Sequence, residues 1–270
     1  MSTIDPEYVK ARSVLLDALT VLSPHMNNLV LIGAQAVYHH TGEGSLNVAI
    51  MTTDADIALE TNDLAPNPEI GKALLDAGFY LGQNPGRWIG RYDVGIDLMV
   101  APHQSGRGSA KVRAARIPHH HQRTARIARG LEPSLVDFTL DQIYSFEQQD
   151  RRQFELRIAG PSALLVAKAI KLSERFEEST TRPDRLSEKD ALDAFRLLQK
   201  IDTDVLVQGF ELHQSEPHAM RVSTDAIRIY TEHATSANGL FPTLAAHAAG
   251  DDPTVAPAFS SLVQDLINNL

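Results

Sequence analysis

The stretch Asp54-Ala-Asp-Ile-Ala-Leu59 alternates acidic or small residues with apolar ones. A period of two is typical of a β-strand with one buried face and one polar face. Asp54 and Asp56 therefore share a face of the predicted strand. A lone Asp-x-Asp is often a solvated strand end, but here the pair enters an apolar strand, where an unpaired charge is costly. Two carboxylates on one face can hold a hard divalent cation, so they are the candidate metal ligands.

Upstream of this strand, Asn28-Leu-Val-Leu-Ile-Gly33 predicts a buried strand that is closed by a turn, and residues 34–40 predict a short helix. A strand that ends in glycine before a helix exposes backbone N–H groups and a helix N-terminus, which attract phosphate. Gly33 and Ala34 are therefore the candidate residues for binding a triphosphate.

Downstream, Gly95-Ile-Asp-Leu-Met-Val100 predicts another strand, whose one charged residue is Asp97. On a strand next to the first, Asp97 would be a third carboxylate, placed to orient or deprotonate an attacking hydroxyl. The alternative is a structural ion pair with Arg87 or Arg91. The sequence leaves both alternatives open.

The helix predicted from Pro161 to about Phe176 carries Lys168 among residues that are apolar almost all round. A buried ammonium requires an anion, which is either a carboxylate of the protein or a nucleotide phosphate. The remaining alternative is a side chain that snorkels, with its ammonium in solvent. Lys171 and Arg175 follow on the same stripe, where they either bind phosphate or are solvated. A second helix is predicted from Ser187 to about Lys200, and Ser187 with Asp190 forms a capping box, which gives Asp190 a purely structural alternative.

The predicted elements divide the chain into two parts. Helices and strands alternate up to residue 159, with further strands expected at 135–146 and 154–158, whereas the pattern from residue 160 onward is helical. We therefore expect an α+β protein with an α/β domain at 1–159 and a helical C-terminal domain at 160–270.

Composition excludes several classes of protein. The chain of 270 residues has no cysteine, which rules out thiolate catalysis, cysteine-ligated zinc and iron–sulfur clusters. Residues 1–10 are acidic and polar, unlike a signal peptide, so we expect a cytoplasmic protein. No apolar run approaches the roughly 18 residues of a membrane span, so we expect no membrane association.

The net charge of −9 argues against a protein that coats nucleic acid nonspecifically. One segment, 107–129, is nevertheless a basic island that contains no acidic residue. We expect it either to contact RNA or a triphosphate, or to be a solvated surface. Its three consecutive histidines suit a tetrahedral zinc ion poorly. The basic residues and histidines of the island are Arg107, Lys111, Arg113, Arg116, His119, His120, His121, Arg123, Arg126 and Arg129.

Together these motifs resemble the AbiEii/MenT-type nucleotidyltransferases, a bacterial family of the DNA polymerase β-like superfamily that is best known as the toxin halves of toxin–antitoxin pairs. The resemblance runs from about Leu29 to Leu198. The matching parts are Ile32-Gly-Ala34, Thr53-Asp-Ala-Asp-Ile57, the helix from Lys168 to Arg175, and Lys189-Asp190 with the residues that follow. The chain departs from the family at Ala34, where glycine or serine is commoner, and the resemblance does not extend to residues 200–270.

This resemblance implies a nucleotidyltransferase-like mixed sheet flanked by helices, and it implies a role for each matching residue. Asp54 and Asp56 would hold Mg²⁺, Lys168 would bind the NTP, and Asp190 would help to complete the active site. The implied reaction moves a nucleoside monophosphate from an NTP to an acceptor hydroxyl, such as the 3′ end of a tRNA, and a toxin would have a cognate antitoxin. The alternatives are an antibiotic-type, small-molecule nucleotidyltransferase and a non-catalytic nucleotide-binding protein of the same fold.

Overall fold

The computed structural model describes residues 4–42, 50–106, 112–179, 181 and 188–270. The chain forms two compact units. The first comprises the residues up to Ala36, Ile50–Ala128 and Phe138–Ala159, and the second comprises the remainder, including Gly160–Leu270.

The first unit is built on one sheet of eight strands. In chain order the strands are β1 (Leu29–Ile32), β2 (Asp54–Leu59), β3 (Tyr80–Leu81), β4 (Arg87–Ile89), β5 (Gly95–Val100), β6 (Arg126–Ile127), β7 (Phe138–Tyr144) and β8 (Gln153–Ala159). Their order across the sheet is β3-β4-β5-β2-β1-β8-β7, and β6 lies beside β5. Because β2 runs parallel to β5 but antiparallel to β1, the sheet is mixed, which confirms the expectation of a mixed sheet flanked by helices.

The helices of the first unit are α1 (Pro6–Val21), the start of α2 (Gly33–Thr41) and α3 (Ile70–Asp76). Helix α1 begins at the side chain of Asp5, which accepts a hydrogen bond from the backbone N–H of Glu7 at 2.8 Å. It packs against β2 and β5. On β2, Ala55, Ile57 and Leu59 are buried on the face opposite Asp54 and Asp56, as the period of two requires.

The second unit is helical. Its helices are α4 (Pro161–Glu178), α5 (Glu188–Lys200), α6 (Thr203–His213), α7 (Pro217–Ala234), α8 (Leu240–Ala248) and α9 (Val255–Asn269). Helix α4 packs against α5, α6 and α7, and the core includes Phe195 stacked on Phe259, with ring centroids 5.8 Å apart. The unit also takes in two segments that precede residue 160, the end of α2 from Val37 and Arg129–Asp137. No described helix is both long enough and apolar enough for a membrane span.

A buried hydrogen-bond chain fixes the start of α4 within this unit. Asp137 Oδ2 accepts from the backbone N–H of Ala163 at 2.9 Å and from His213 Nε2 at 3.2 Å, while Ser223 Oγ is hydrogen-bonded to His213 Nδ1 at 2.8 Å. Gly160, directly before α4, leaves room for the carboxylate, because a Cβ there would overlap it. The chain therefore joins α4, α6 and α7 through polar groups that satisfy one another.

Candidate active site

The register of the sheet places three acidic residues on one face. Asp56 lies opposite Asp97 in the parallel pair of β2 and β5, and opposite Ile32 in the antiparallel pair of β1 and β2. Directly opposed residues share a face of the sheet, as do residues i and i+2 of one strand. The carboxylates of Asp54, Asp56 and Asp97 therefore project from the same face of two neighbouring strands.

The glycine turn after β1 lies against this acidic face. Gly33 has a φ of +68°, in the left-handed region that favours glycine, and a Cβ at this position would overlap the Asp56 carboxylate. Glycine is thus required by the backbone and by the approach of Asp56. Ala34 follows in the first turn of α2, where backbone N–H groups have no partner within the helix. The structure therefore brings Asp56 next to the predicted phosphate-binding turn.

Both carboxylate oxygens of Asp54 accept a hydrogen bond from the protein. Its Oδ1 accepts from the hydroxyl of Thr52 at 3.1 Å, and its Oδ2 accepts from Arg87 Nη1 at 3.3 Å. The amide of Gln35 donates to the backbone carbonyl of Asp54 at 3.1 Å, which ties α2 to the start of β2. The Asp54 side chain is 35% exposed, so solvent and a ligand can reach it.

Asp97 forms the ion pair that the sequence left as an alternative. Its Oδ2 accepts from Arg87 Nη1 at 2.5 Å, and its Oδ1 lies 3.6 Å from Arg126 Nε. Arg91, the other partner considered, pairs with Asp17 at 2.7 Å instead. The role of Asp97 as a third metal ligand or as a base stays a prediction, and it requires at least one arginine to release the carboxylate.

The donor set of this face fits magnesium that binds together with a nucleotide. Within the described ranges, no group of three or more acidic or histidine side chains is arranged to hold a metal ion. Asp54 and Asp56 provide two carboxylates on this face, while the carboxylate of Asp97 contacts Arg87 and Arg126. Magnesium typically takes one or two carboxylates from a protein and its other ligands from water and substrate phosphates. The oxygen donors present match that pattern.

In the second unit, Lys168 on α4 is buried, as predicted. Its Nζ donates to Asp190 Oδ1 at 2.8 Å and to Asp193 Oδ2 at 2.6 Å, and all three side chains are at most 6% exposed. Of the two anions that the sequence left open, the structure contains the carboxylates. Burial opposes protonation, but the charges of Asp190 and Asp193 outweigh it and raise the pKa of Lys168. Conversely, burial opposes ionisation of Asp190, but Lys168 and Lys171 hold its pKa well below the ordinary value.

Two further cations complete this cluster. Lys171 Nζ donates to Asp190 Oδ1 at 3.0 Å, and Arg175 Nη1 donates to Asp190 Oδ2 at 2.8 Å. Lys171 is 46% exposed and Arg175 is 27% exposed. The cations outnumber the carboxylates of Asp190 and Asp193, and the excess charge lies at the exposed side chains. Lys171 and Arg175 are therefore better placed than Lys168 to receive a phosphate.

The capping-box alternative for Asp190 involves Ser187, which lies outside the described residues. Both carboxylate oxygens of Asp190 accept from side chains of α4, so this carboxylate joins α5 to α4. Its proposed part in completing an active site stays a prediction.

Much of the positive charge of the basic island is used within the protein. Arg123 Nη2 donates to the backbone carbonyls of Gly82 and Gln83, each at 2.8 Å. Arg126 lies beside Asp97, as described above. Arg129, in the second unit, pairs with Glu174 at 3.4 Å and with Asp225 at 3.6 Å. These arginines already have partners within the protein, which reduces the positive charge that a ligand can reach.

Besides Arg129, whose side chain is 51% exposed, Arg113 and Arg116 are the exposed arginines of the island in the described ranges. Arg107 and Lys111 fall outside the described residues. Arg116 lines a surface depression of about 750 Å³ together with His119, His120 and other residues of the island. This depression is polar, open to solvent and large enough to receive part of a nucleic-acid acceptor.

His120 serves the fold. Its Nδ1 accepts from the backbone N–H of Ile70 and its Nε2 donates to the carbonyl of Ala65, each at 3.2 Å. Burial lowers the pKa of His120, which favours the neutral ring that this pair of hydrogen bonds requires. Both ring nitrogens of the middle histidine are thus occupied by backbone groups.

Sequence reasoning gave no functional role to three residues that build these clusters. Arg87 was considered only as a partner of Asp97. Gly95 was assigned only to a strand, yet a Cβ there would overlap the Arg87 guanidinium. Asp193 follows Asp190 by three residues, a spacing that places both on one helix face and could have identified it.

Compared with known proteins, the sequence matches no protein-family model, and no curated protein or solved structure matches the chain.

Proposed function

We propose that this protein is a magnesium-dependent nucleotidyltransferase that moves a nucleoside monophosphate from an NTP to an acceptor hydroxyl. The observation that carries the proposal is the position of Asp54 and Asp56 on one face of β2, with Asp56 against the Gly33 turn that opens α2. A pair of carboxylates beside a phosphate-binding turn is the arrangement that metal-assisted phosphoryl transfer needs. The resemblance to the AbiEii/MenT-type family supports the same reaction.

In this reaction Asp54 and Asp56 would hold Mg²⁺. When bound, the ion would stabilise charge on the phosphates and lower the pKa of the acceptor hydroxyl. The backbone N–H groups at the start of α2, from Ala34 onward, would donate to phosphate oxygens. Catalysis would then depend on positioning and charge stabilisation, without a covalent intermediate on the protein.

The cluster on α4 and α5 would contribute positive charge for phosphate. Since Lys168 is buried between Asp190 and Asp193, its role would be to fix Asp190. Lys171, whose ammonium is more exposed than that of Lys168, would then be the lysine of the cluster that a phosphate can reach. This assignment keeps both lysines in the proposed function and separates their tasks.

We propose RNA as the acceptor, with a tRNA 3′ end as the specific case, in a toxin whose partner is a cognate antitoxin. Exposed Arg113 and Arg116 and the depression beside Arg116 support this choice, because phosphodiester backbones are bound by accessible cations.

A small-molecule acceptor is the second candidate. It is favoured by the engagement of Arg123, Arg126 and Arg129 within the protein, which reduces the positive surface available to RNA. Replacing Arg113 and Arg116 by glutamate distinguishes the two. RNA labelling should fall strongly if RNA is the acceptor, and transfer to a small molecule should change little.

The direct test is incubation of the protein with Mg²⁺, each α-labelled NTP in turn and total cellular RNA. We expect wild-type protein to label an RNA, and Asp56→Asn to reduce labelling by about 100-fold or more, the usual effect of removing one preorganised electrostatic group. Asp63→Asn removes an exposed carboxylate and is the matched control. Circular dichroism checks that each variant is folded.

Undiminished labelling by folded Asp56→Asn would remove the site assignment. Calorimetric titration with Mg²⁺ and each NTP tests nucleotide binding separately from catalysis. If none of the nucleotides binds, the protein is not an NTP-dependent transferase and the proposal is overturned.

A further inference from the structure

Arg87 reaches across a strand to contact two of the acidic residues. It lies on β4, directly opposite Asp97 on β5, but its Nη1 also contacts Asp54 on β2, the strand beyond β5. Gly95 on β5 is the register partner of Asp54, and a Cβ at Gly95 would overlap the Arg87 guanidinium. The absence of a side chain at Gly95 therefore opens the path by which Arg87 reaches Asp54.

The two contacts of Arg87 are unequal. Nη1 lies 2.5 Å from Asp97 Oδ2 and 3.3 Å from Asp54 Oδ2. The shorter contact is the stronger charge-assisted hydrogen bond, and the Asp97 side chain is the more buried of the two, 13% exposed against 35%. Asp97 therefore anchors the guanidinium, and the contact to Asp54 is the one that can be exchanged.

A divalent cation must compete with Arg87 for Asp54. Thr52 and Arg87 each donate to one carboxylate oxygen of Asp54, so a cation that binds Oδ2 takes the position of the guanidinium. Because arginine stays protonated, it cannot lose its charge to make room, and two cations at one oxygen repel each other. The ion alone is therefore opposed by the protein's own positive charge.

A bound nucleotide would relieve this repulsion between the divalent cation and the Arg87 guanidinium. Its triphosphate offers the displaced guanidinium another anion, and a planar fork of N–H groups suits phosphate oxygens well. Arg87 is 29% exposed, so its side chain is accessible from solvent.

We propose that Arg87 is a triphosphate-binding residue that occupies Asp54 until the nucleotide arrives, so that the divalent cation binds tightly only together with the NTP. This inference rests on the proposed function. It adds a substrate-binding residue and an order of loading to it: in the resting protein Arg87 bridges Asp97 and Asp54, and in the loaded protein it keeps Asp97 and exchanges Asp54 for phosphate.

The test is a titration with Mn²⁺ followed by electron paramagnetic resonance, which measures unbound Mn²⁺ without requiring activity. Each titration is done with Mn²⁺ alone and with Mn²⁺ plus a non-hydrolysable α,β-linked analogue of one of the four NTPs. Arg87→Met removes the guanidinium. Gly95→Ala keeps the charge but blocks its path to Asp54. Arg91→Met, which removes an arginine paired with Asp17, is the matched control.

With Mn²⁺ alone, Arg87→Met and Gly95→Ala should both bind the ion about threefold to tenfold more tightly than wild type, the range expected for losing a half-exposed competing cation. With Mn²⁺ present, Arg87→Met should bind the preferred analogue about tenfold more weakly, since one charged phosphate contact is lost. Gly95→Ala should lose less affinity for the analogue, because the guanidinium is still present. Arg91→Met should match wild type in both titrations.

Wild-type affinity of Arg87→Met for both Mn²⁺ and the analogue would overturn the inference. The proposed function would survive that result, provided that Asp54→Asn abolishes binding of Mn²⁺ with the analogue. Failure of every variant to bind Mn²⁺, with or without an analogue, would instead overturn the proposed function and the inference together.

Discussion

The protein contains two charged clusters built from similar side chains in opposite surroundings. In the sheet cluster, formed by Arg87, Asp54 and Asp97, side chains are 13–35% exposed. In the helix cluster, the buried members Lys168, Asp190 and Asp193 are 1–6% exposed, whereas Lys171 and Arg175 at its edge are 46% and 27% exposed. A buried charge that loses its partner is strongly destabilising, whereas a half-exposed charge can turn to water or to a ligand. Burial therefore commits Lys168, Asp190 and Asp193 to the fold, whereas the partial exposure of the sheet cluster leaves it able to exchange partners.

The largest effect that we expect is loss of stability when the helix cluster loses its ammonium. Lys168→Met leaves the buried carboxylate of Asp193 without the ammonium that neutralises it, and should lower the free energy of unfolding by about 3 to 5 kcal/mol. Urea unfolding followed by circular dichroism measures this change. Lys200→Met, at an exposed position of α5, is the matched control and should change stability little. A loss below about 1 kcal/mol for Lys168→Met would contradict the structural role of the ammonium.

A smaller loss is expected where the backbone supports the sheet cluster. Gly33→Ala forces alanine into a left-handed conformation, which costs about 1 to 2 kcal/mol, and also pushes its methyl group into the Asp56 carboxylate. Gly42→Ala is the matched control: Gly42 has a φ of +61° and an added Cβ meets no neighbouring atom within 4 Å. Gly33→Ala should therefore be the less stable variant in urea unfolding and should also bind Mn²⁺ with the analogue more weakly. Equal stability and equal metal binding would show that Asp56 does not depend on the glycine.

The pH dependence of stability distinguishes the clusters further. Burial alone would raise the pKa of Asp190, but the positive charge of Lys168 outweighs burial and holds the pKa below its ordinary value of 3.8. A depressed pKa stabilises the folded protein above the unfolded-state value, and this stability is lost as the pH falls through the folded-state pKa. Below pH 3.8, wild-type protein should thus lose up to about 1.4 kcal/mol per pH unit through this carboxylate.

Urea unfolding at pH 6 and at pH 3 measures this contribution. Asp190→Asn is the comparison, since other groups titrate in both proteins and cancel in the difference. The variant should lose less stability than wild type between these two pH values. Parallel losses in the two proteins would contradict the depressed pKa of Asp190.

The smallest change in stability is expected for the sheet cluster itself. Arg87→Met removes one positive charge, as Lys168→Met does, but solvent can reach both released carboxylates, and Arg126 already lies 3.6 Å from Asp97. The free energy of unfolding should therefore change by about 1 kcal/mol or less, measured by the same urea titration. A loss as large as that of Lys168→Met would show that Arg87 is a structural residue and would remove the contrast between the clusters.

Local features of the candidate site followed from the sequence because they depend on neighbouring residues. The alternation in Asp54-Ala-Asp-Ile-Ala-Leu59 placed both aspartates on one face of a strand, and the structure contains that strand over the same residues. The apolar surroundings of Lys168 indicated a buried ammonium that needs an anion, which the structure confirms. In each case a helix or strand period, combined with the high free energy of a buried charge, is sufficient.

The partners of these charges were decided by the tertiary structure. The sequence predicted that Asp97 either pairs with an arginine or serves the reaction. Only the register of β4 against β5 selects Arg87 over Arg91 as its partner. Only the absence of a side chain at Gly95 lets Arg87 also reach Asp54. Likewise, α5 must pack on α4 before Asp190 and Asp193 can meet Lys168. A sequence thus determines which residues share a face and which charges need a partner, because these properties repeat along one element. Pairing across elements depends on register and packing, which arise only when distant segments meet.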